Sequence, residues 1–285
     1  MSTQVTTAFV NQFSSNVALL SQQMGSLLRG AVDVESVTGE KAFFDQVGAA
    51  AAVARTSRHG DTPLVETPHS RRMVSLTTYE WADLIDDADK VRMLIDPTSS
   101  YARAAAAAIG RAMDDVIIDA LGGTAKTGKT GSTSTSFASG QKIVHASGGL
   151  TIAKLVSAKK LLDESSVDPS IMRWIVVSPE QIEDLLNNTT VTSADYNTVR
   201  ALATGDIDTF VGFKFITSNR LSTDGTSRLC YAWAQDGLKC AIGKDVLARI
   251  DERADKSYST QCYYSATFGA TRMEEEKVVE IACNE

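Results

Sequence analysis

The segment Gly123-Thr124-Ala125-Lys126-Thr127-Gly128-Lys129-Thr130 fits the Gly-x4-Gly-Lys-Ser/Thr pattern. In that pattern backbone N–H groups and a lysine cradle phosphates while a hydroxyl meets a divalent cation. Average residue usage produces it by chance in about one chain in a hundred, and more often in a loop rich in Gly, Thr and Lys. The chemistry needs a strand before the loop and a helix after it, so that the helix N-terminus faces the phosphates. This run instead follows a long helical stretch, and residues 131–140, GSTSTSFASG, are poor at starting a helix. No hydrophobic strand ending in Asp follows to hold magnesium, since Trp174–Val177 runs into Ser178-Pro179. A flexible loop accounts for the segment better than a nucleotide site.

Other chemistry is thinner still. The histidines are His59, His69 and His145. The first two flank the tip of a predicted arm, and His145 sits beside Ser147 in a Gly/Ser loop, too local for a triad. Asp86-Asp87-Asp89, Asp114-Asp115 and Glu274-Glu275-Glu276 read as solvated faces, and none has the spacing of a calcium loop. Cys230, Cys240, Cys262 and Cys283 form no CxxC pair, so they read as buried thiols rather than zinc ligands. No catalytic, cofactor or metal residue is assigned, and the chain does not read as an enzyme. The aromatics Trp81, Trp174, Trp233, Phe210, Phe213, Phe215, Tyr263, Tyr264 and Phe268 lie among aliphatics and read as core anchors.

The elements that would position any of these residues are more telling. Asp96–Gly123 reads as one long helix: Asp96 as N-cap, Pro97 in the first turn, Gly122-Gly123 as the stop. Ile109, Met113, Val116, Ile117, Ala120 and Leu121 give it one apolar face, and Arg111 is placed to pair with Asp114 and Asp115. Such a helix spans roughly 38 Å. The alanines at 104–108 make part of its surface thin, so another backbone can lie close. Thr7–Leu28 has the spacing of an amphipathic helix that needs a partner. Alternation over residues 51–80, with a turn signal at His59–Pro63, predicts a two-stranded arm rich in arginine, and a lone ribbon is marginal in water. Residues 124–149 read as a loop or a short hairpin. Leu150–Lys244 reads as an α/β domain, with a helix over Leu150–Asp163, a strand over Ile171–Val177, a capping box at Ser178–Gln181, and strands over Phe210–Thr217, Leu229–Ala234 and Leu238–Ile242. Val246–Ile250, Gln261–Thr271 and Lys277–Ala282 alternate and should join an earlier sheet.

With 285 residues, 43% of them hydrophobic and 22% charged, the chain can hold one large domain or two modest ones. Its net charge of −7 disfavours tight sequence-reading DNA binding. The first residues lack the pattern of a secretory signal, and no run of 18 apolar residues offers a membrane span.

On these residues the chain resembles a known family. The segment HSRRMVSLTTYEWADLIDDADKVRMLIDPTSSYARAAAAAIGRAMDDVIIDALGGTAKTGKTG (His69–Gly131), with IVVSPEQIEDLL and FVGFKFITSNRL, is similar to the major capsid proteins of tailed bacteriophages, podophage-like members of the Hong Kong 97 type. The resemblance implies an α+β fold: N-terminal arm (1–30), extended β-hairpin loop (31–81), peripheral domain with spine helix (82–149), α/β axial domain (150–245) and returning peripheral strands (246–285). It implies pentamers and hexamers in an icosahedral shell around double-stranded DNA, without sequence-specific binding and without a membrane. A scaffolding protein and a portal are the implied partners, and a cement or decoration protein is a further candidate. The location implied is the virion, after assembly in the host cytoplasm. Some members weld neighbours through a lysine on the extended loop. Residues 51–94 hold only Lys90, so noncovalent locking is expected. The chain also opens without a long acidic helical prodomain, so a fused, cleaved scaffold is not expected. Arg55, Arg58, Arg71 and Arg72 are expected to pair with carboxylates of an adjacent subunit. An encapsulin-like compartment shell and a P-loop nucleotide-binding enzyme using residues 123–130 are the alternatives.

Overall fold

The computed structural model describes residues 22–62, 64–85, 98–145, 148–187 and 209–285. Asp96, Pro97, Lys90, the Asp86-Asp87-Asp89 cluster and most of the predicted helix Thr7–Leu28 lie outside them. The end of that last prediction is overturned: residues 22–28 are not helical, and Gly25 at φ +79° breaks the periodicity.

The longest helix is the predicted spine, α1 (Thr98–Gly122, 25 residues). Ala105, Ile109, Met113, Ile117 and Leu121 are buried along it, so the apolar stripe read from spacing is the face that packs. The other helices are α2 (Ile152–Glu164), capped by the Thr151 hydroxyl accepting from the Lys154 amide at 3.3 Å, and α3 (Pro179–Asn187). α3 opens on the predicted capping box in half form. The Gln181 side chain accepts from the Ser178 amide at 2.8 Å, while the Ser178 hydroxyl donates to Glu285 at 2.9 Å.

The strands are β1 (Asp33–Ser36), β2 (Lys41–Val47), β3 (His69–Ser75), β4 (Thr77–Ile85), β5 (Ala125–Thr127), β6 (Thr133–Thr135), β7 (Lys142–Ile143), β8 (Arg173–Val177), β9 (Thr209–Phe210), β10 (Phe213–Thr217), β11 (Thr223–Asp224), β12 (Ser227–Ala234), β13 (Leu238–Arg253), β14 (Ser259–Arg272) and β15 (Val278–Asn284). The chain divides into two compact units.

The larger unit takes the described residues of Leu27–Thr77, Asp114–Gly243 and Phe268–Glu285. Its main sheet has the order β7-β15-β12-β8-β10-β9, with β11 on β12. β8 and β10 run parallel, and β8 is apolar from Trp174 to Val177, as a strand covered on both faces tends to be. β9 and β10 are one hairpin rather than the single strand expected over Phe210–Thr217; Val211 and Gly212 turn it at φ 54° and 83°. β15 lies between β7 and β12, so the final strand of the chain sits inside this sheet, with α2 packed on β15 and β7. The core centres on Trp233, fully buried, whose indole N–H donates to the Ala31 carbonyl at 2.9 Å. Cys230, Cys240 and Cys283 are buried thiols here.

A second sheet, β2-β3-β5-β6, is antiparallel throughout. The ladder of the arm therefore joins residues 41–47 to 69–75: its first strand lies before the span 51–80 read from alternation, and the described residues of 48–68, which include the place expected for that strand, have no strand structure. The alternation over Thr77–Ile85 belongs to β4, which pairs with β14 instead. Period two marks a strand but names no partner.

The smaller unit takes the described residues of 22–26, 78–113 and 244–267. In it the outer parts of β13 and β14 form a ribbon with β4. The Thr78 and Thr267 hydroxyls bond across it at 2.9 Å, Tyr263 donates to Glu80 at 2.8 Å, and Trp81 meets Tyr264 edge-on. Residues 243–252 of β13 are exposed or nearly so on both faces.

Candidate assembly surfaces

The segment leading out to the N-terminus is held by α1. Within the larger unit, the buried Asp114 carboxylate accepts from the Leu27 and Leu28 amides, both at 3.1 Å. Asp115 takes Arg220 bidentately. Of the pair read as a solvated acidic face, Asp114 is thus an internal anchor, while Asp115 stays partly exposed at its ion pair. Within the smaller unit, Arg111 donates to the Gln22 side chain at 2.9 Å and to the Gln23 carbonyl at 3.2 Å. Gly110 lies so near Gly25 that a Cβ there would collide with its backbone. The thin helix surface expected from the alanines is therefore used, two residues past them. In an ordinary helix Gly→Ala gains about 1 kcal/mol. Gly110→Ala should instead lose about 1–3 kcal/mol in urea unfolding, because the strand of backbone over it cannot be overpacked without moving. A stabilised variant would show that Gly25 does not press on the helix.

The arm carries the arginines singled out in the sequence, and the fold separates them. Arg55 and Arg58 are exposed on residues 48–68, and Arg55 holds only the nearby Ser57 carbonyl, at 2.7 Å. Arg71 lies over the Phe43 ring and grips Asp45 across the β2–β3 ladder at 2.5 and 3.1 Å. That partner raises the Arg71 pKa and lowers that of Asp45. Arg72 departs from the expectation. It is buried, its Nε donating to the Met273 carbonyl at 2.7 Å and its Nη2 to Glu275 at 2.6 Å. Adjacent strand residues face opposite sides, so one of two neighbouring arginines is turned inward. Around Arg55 and Arg58, Val53 is 59% exposed and Leu64 98% exposed, a degree of apolar exposure that a lone subunit gains nothing from.

Glu275 links Arg72 to the end of the spine. Its other oxygen lies 3.6 Å from the guanidinium of Arg272. Arg272 is buried, stacks 4.9 Å from the Phe137 ring, and donates to the carbonyls of Leu121 and Gly123 at 2.8 Å each. A cation here satisfies the carbonyls that any helix leaves open at its C-terminus. Burial pulls the Arg272 guanidinium below its usual range, while Glu275 opposes the shift. The run Glu274–Glu276, expected to be solvated, supplies this internal acid because β14 ends at Arg272 and turns Glu275 inward.

Residues 123–130 hold no phosphate cradle. Ala125–Thr127 and Thr133–Thr135 form the β5–β6 hairpin, turned by Gly128 and Gly131 at positive φ. No helix follows whose N-terminus could face a phosphate. His59 and His69 are exposed, and Ser147, the neighbour weighed for His145, lies outside the described residues.

The phage capsid protein family profile matches residues 5–285. The chain belongs to that family. A comparison with curated protein sequences gives no match. Among solved structures, the capsid of Cyanophage P-SCSP1u is similar with a TM-score of 0.73 at 18% identity, over 100% of this chain and 96% of that one. The capsid of Ralstonia phage GP4 gives 0.74 at 10% identity, over 96% and 94%. The Mycobacterium phage Che8 chain gives 0.67 at 19%, over 96% and 97%. The fold is thus the Hong Kong 97 type expected from the sequence, and the protein is a major capsid protein, a structural component of a bacteriophage virion rather than an enzyme. Family membership also sets aside the encapsulin-like alternative.

Proposed function

We propose that copies of this capsid protein assemble as pentamers and hexamers into an icosahedral shell enclosing double-stranded DNA. The observation that carries this reading is the extended loop. The described residues of 49–67 leave the β2–β3 ladder with no strand partner among the described residues and with Val53, Leu64, Arg55 and Arg58 in solvent. Such a segment gains stability only when a neighbouring subunit covers it. Closed symmetry then multiplies contacts that are individually weak. The N-terminal arm is a second reaching part, anchored at its base by Asp114 and Arg111. In this reading 1–30 is the arm, 31–81 the extended loop, 82–149 with 246–285 the peripheral domain, and 150–245 the axial domain. Locking is noncovalent. A scaffolding protein and a portal act as partners, and assembly takes place in the host cytoplasm.

Electron microscopy of the expressed chain, alone and with scaffold, tests the reading. Arg55→Glu with Arg58→Glu should cut particle yield at least about tenfold, the equivalent of about 1.4 kcal/mol in all, with the unfolding curve of the subunit unchanged. Arg72 is left out of that variant because it is an internal residue. Wild-type yields from the doubly reversed chain would remove the arginines from the interface.

A further inference from the structure

The hairpin that carries the phosphate-loop pattern stands beside the base of the extended loop. Together they line an open groove of about 680 Å³, bounded by Asp45, His69, Arg71, Arg72, Gly128 and Lys129. Its charges are not equivalent. The Asp45 carboxylate is taken bidentately by Arg71, so the groove's own acid is already neutralised. Arg72 is spent on Met273 and Glu275, yet its buried Nη1 has no hydrogen-bond partner among the described residues. Lys129 is exposed and has no ion-pair partner among them. The groove is therefore a cationic recess in a chain whose net charge is −7.

We propose that this groove receives an Asp- or Glu-bearing segment of a second copy of the chain, and that Lys129 is the cation that engages the incoming carboxylate. The proposal rests on the shell reading above and adds a receptor to it. Acidic surfaces that repel one another over long range need local sites of opposite sign to fix register, and this recess supplies one. A phosphodiester is the poorer occupant. Nucleic acid is held by several unpaired cations at once, whereas this recess offers one exposed unpaired amine and retains a carboxylate.

A zero-length carbodiimide, which condenses an amine with a carboxylate in direct contact, reads the contact. Particles are assembled from full chains of two isotopic compositions, cross-linked and mapped by mass spectrometry. Lys129 should be joined to an Asp or Glu peptide of the other isotopic composition in particles, and not in unassembled subunits. Lys129→Glu should lower particle yield at least about tenfold while leaving subunit unfolding unchanged. Normal wild-type particles in which Lys129 stays unlinked, with full yield from Lys129→Glu, would overturn this proposal alone. If those variant particles instead form normally and lose bound DNA, the groove is a phosphate site and the carboxylate receptor is wrong. Wild-type chains that form no particle would remove the shell reading, and this proposal with it.

Discussion

Glu275→Gln should destabilise the subunit by about 3–5 kcal/mol, the range for removing one partner of a buried ion pair. Gln keeps the shape and one acceptor but loses the charge that sits between Arg72 and Arg272. Two guanidiniums would then face each other in the protein interior with no anion, and desolvation already depresses the Arg272 pKa. The consequence reaches two places at once. Arg72 fastens β3, the inner strand of the arm, to Met273, and Arg272 fastens the C-terminal end of α1. At about 2–4 °C per kcal/mol for a chain of this size, the melting temperature should fall by roughly 6–20 °C. The adjacent acids are the control. Glu276 is exposed, and Glu274 makes only a surface contact with Lys277 at 3.4 Å. Glu274→Gln and Glu276→Gln should stay within about 0.5 kcal/mol of wild type. Equal effects from all three glutamates would show that position 275 is no more than another surface acid.

Lys154→Met should cost about 1–3 kcal/mol, because the Gly149 carbonyl loses the one donor described for it, while the His145 and Gly148 carbonyls keep the amides of Gly148 and Asn284. The Lys154 ammonium lies 3.0 Å from the His145 carbonyl, 2.7 Å from those of Gly148 and Gly149, and 3.0 Å from that of Ala282. One side chain thus ties the entrance of α2 to the turn before it and to β15 inside the main sheet. Methionine preserves the length and apolar stem while removing every donor. Urea denaturation gives the loss directly, and hydrogen exchange should show the β15 amides losing protection. A variant with an unshifted urea midpoint would mean that water replaces the ammonium at these carbonyls at no cost.

The residue order had already determined the described helices and several of the longer strands. Thr98–Gly122 is helical because an apolar stripe at helical spacing ends in two glycines. β8 is largely buried because Trp174–Val177 are apolar at every position. Half of the capping box at Ser178–Gln181 works from local chemistry, the Gln181 side chain accepting from the Ser178 amide. The family likeness was legible for the same reason: it resides in contiguous runs such as His69–Gly131. The uselessness of Gly123–Thr130 as a phosphate loop also followed from sequence, since a cradle requires a helix after the loop and none is encoded there.

Pairing and burial were decided only by the tertiary structure. Alternation marked Thr77–Ile85 as a strand but could not say that β4 joins β14 rather than the arm. Register and partner are set by which faces meet, a property of distant segments. The chain's last strand entering the central sheet is of the same kind. Charged residues show the limit most clearly. Asp114, Arg72 and Glu275 lie in runs whose composition reads as solvated, yet each turns inward because an amide pair, a carbonyl or an opposite charge from far along the chain makes its burial tolerable. No local pattern carries that information, since the compensating groups stand 86, 201 and 203 residues away.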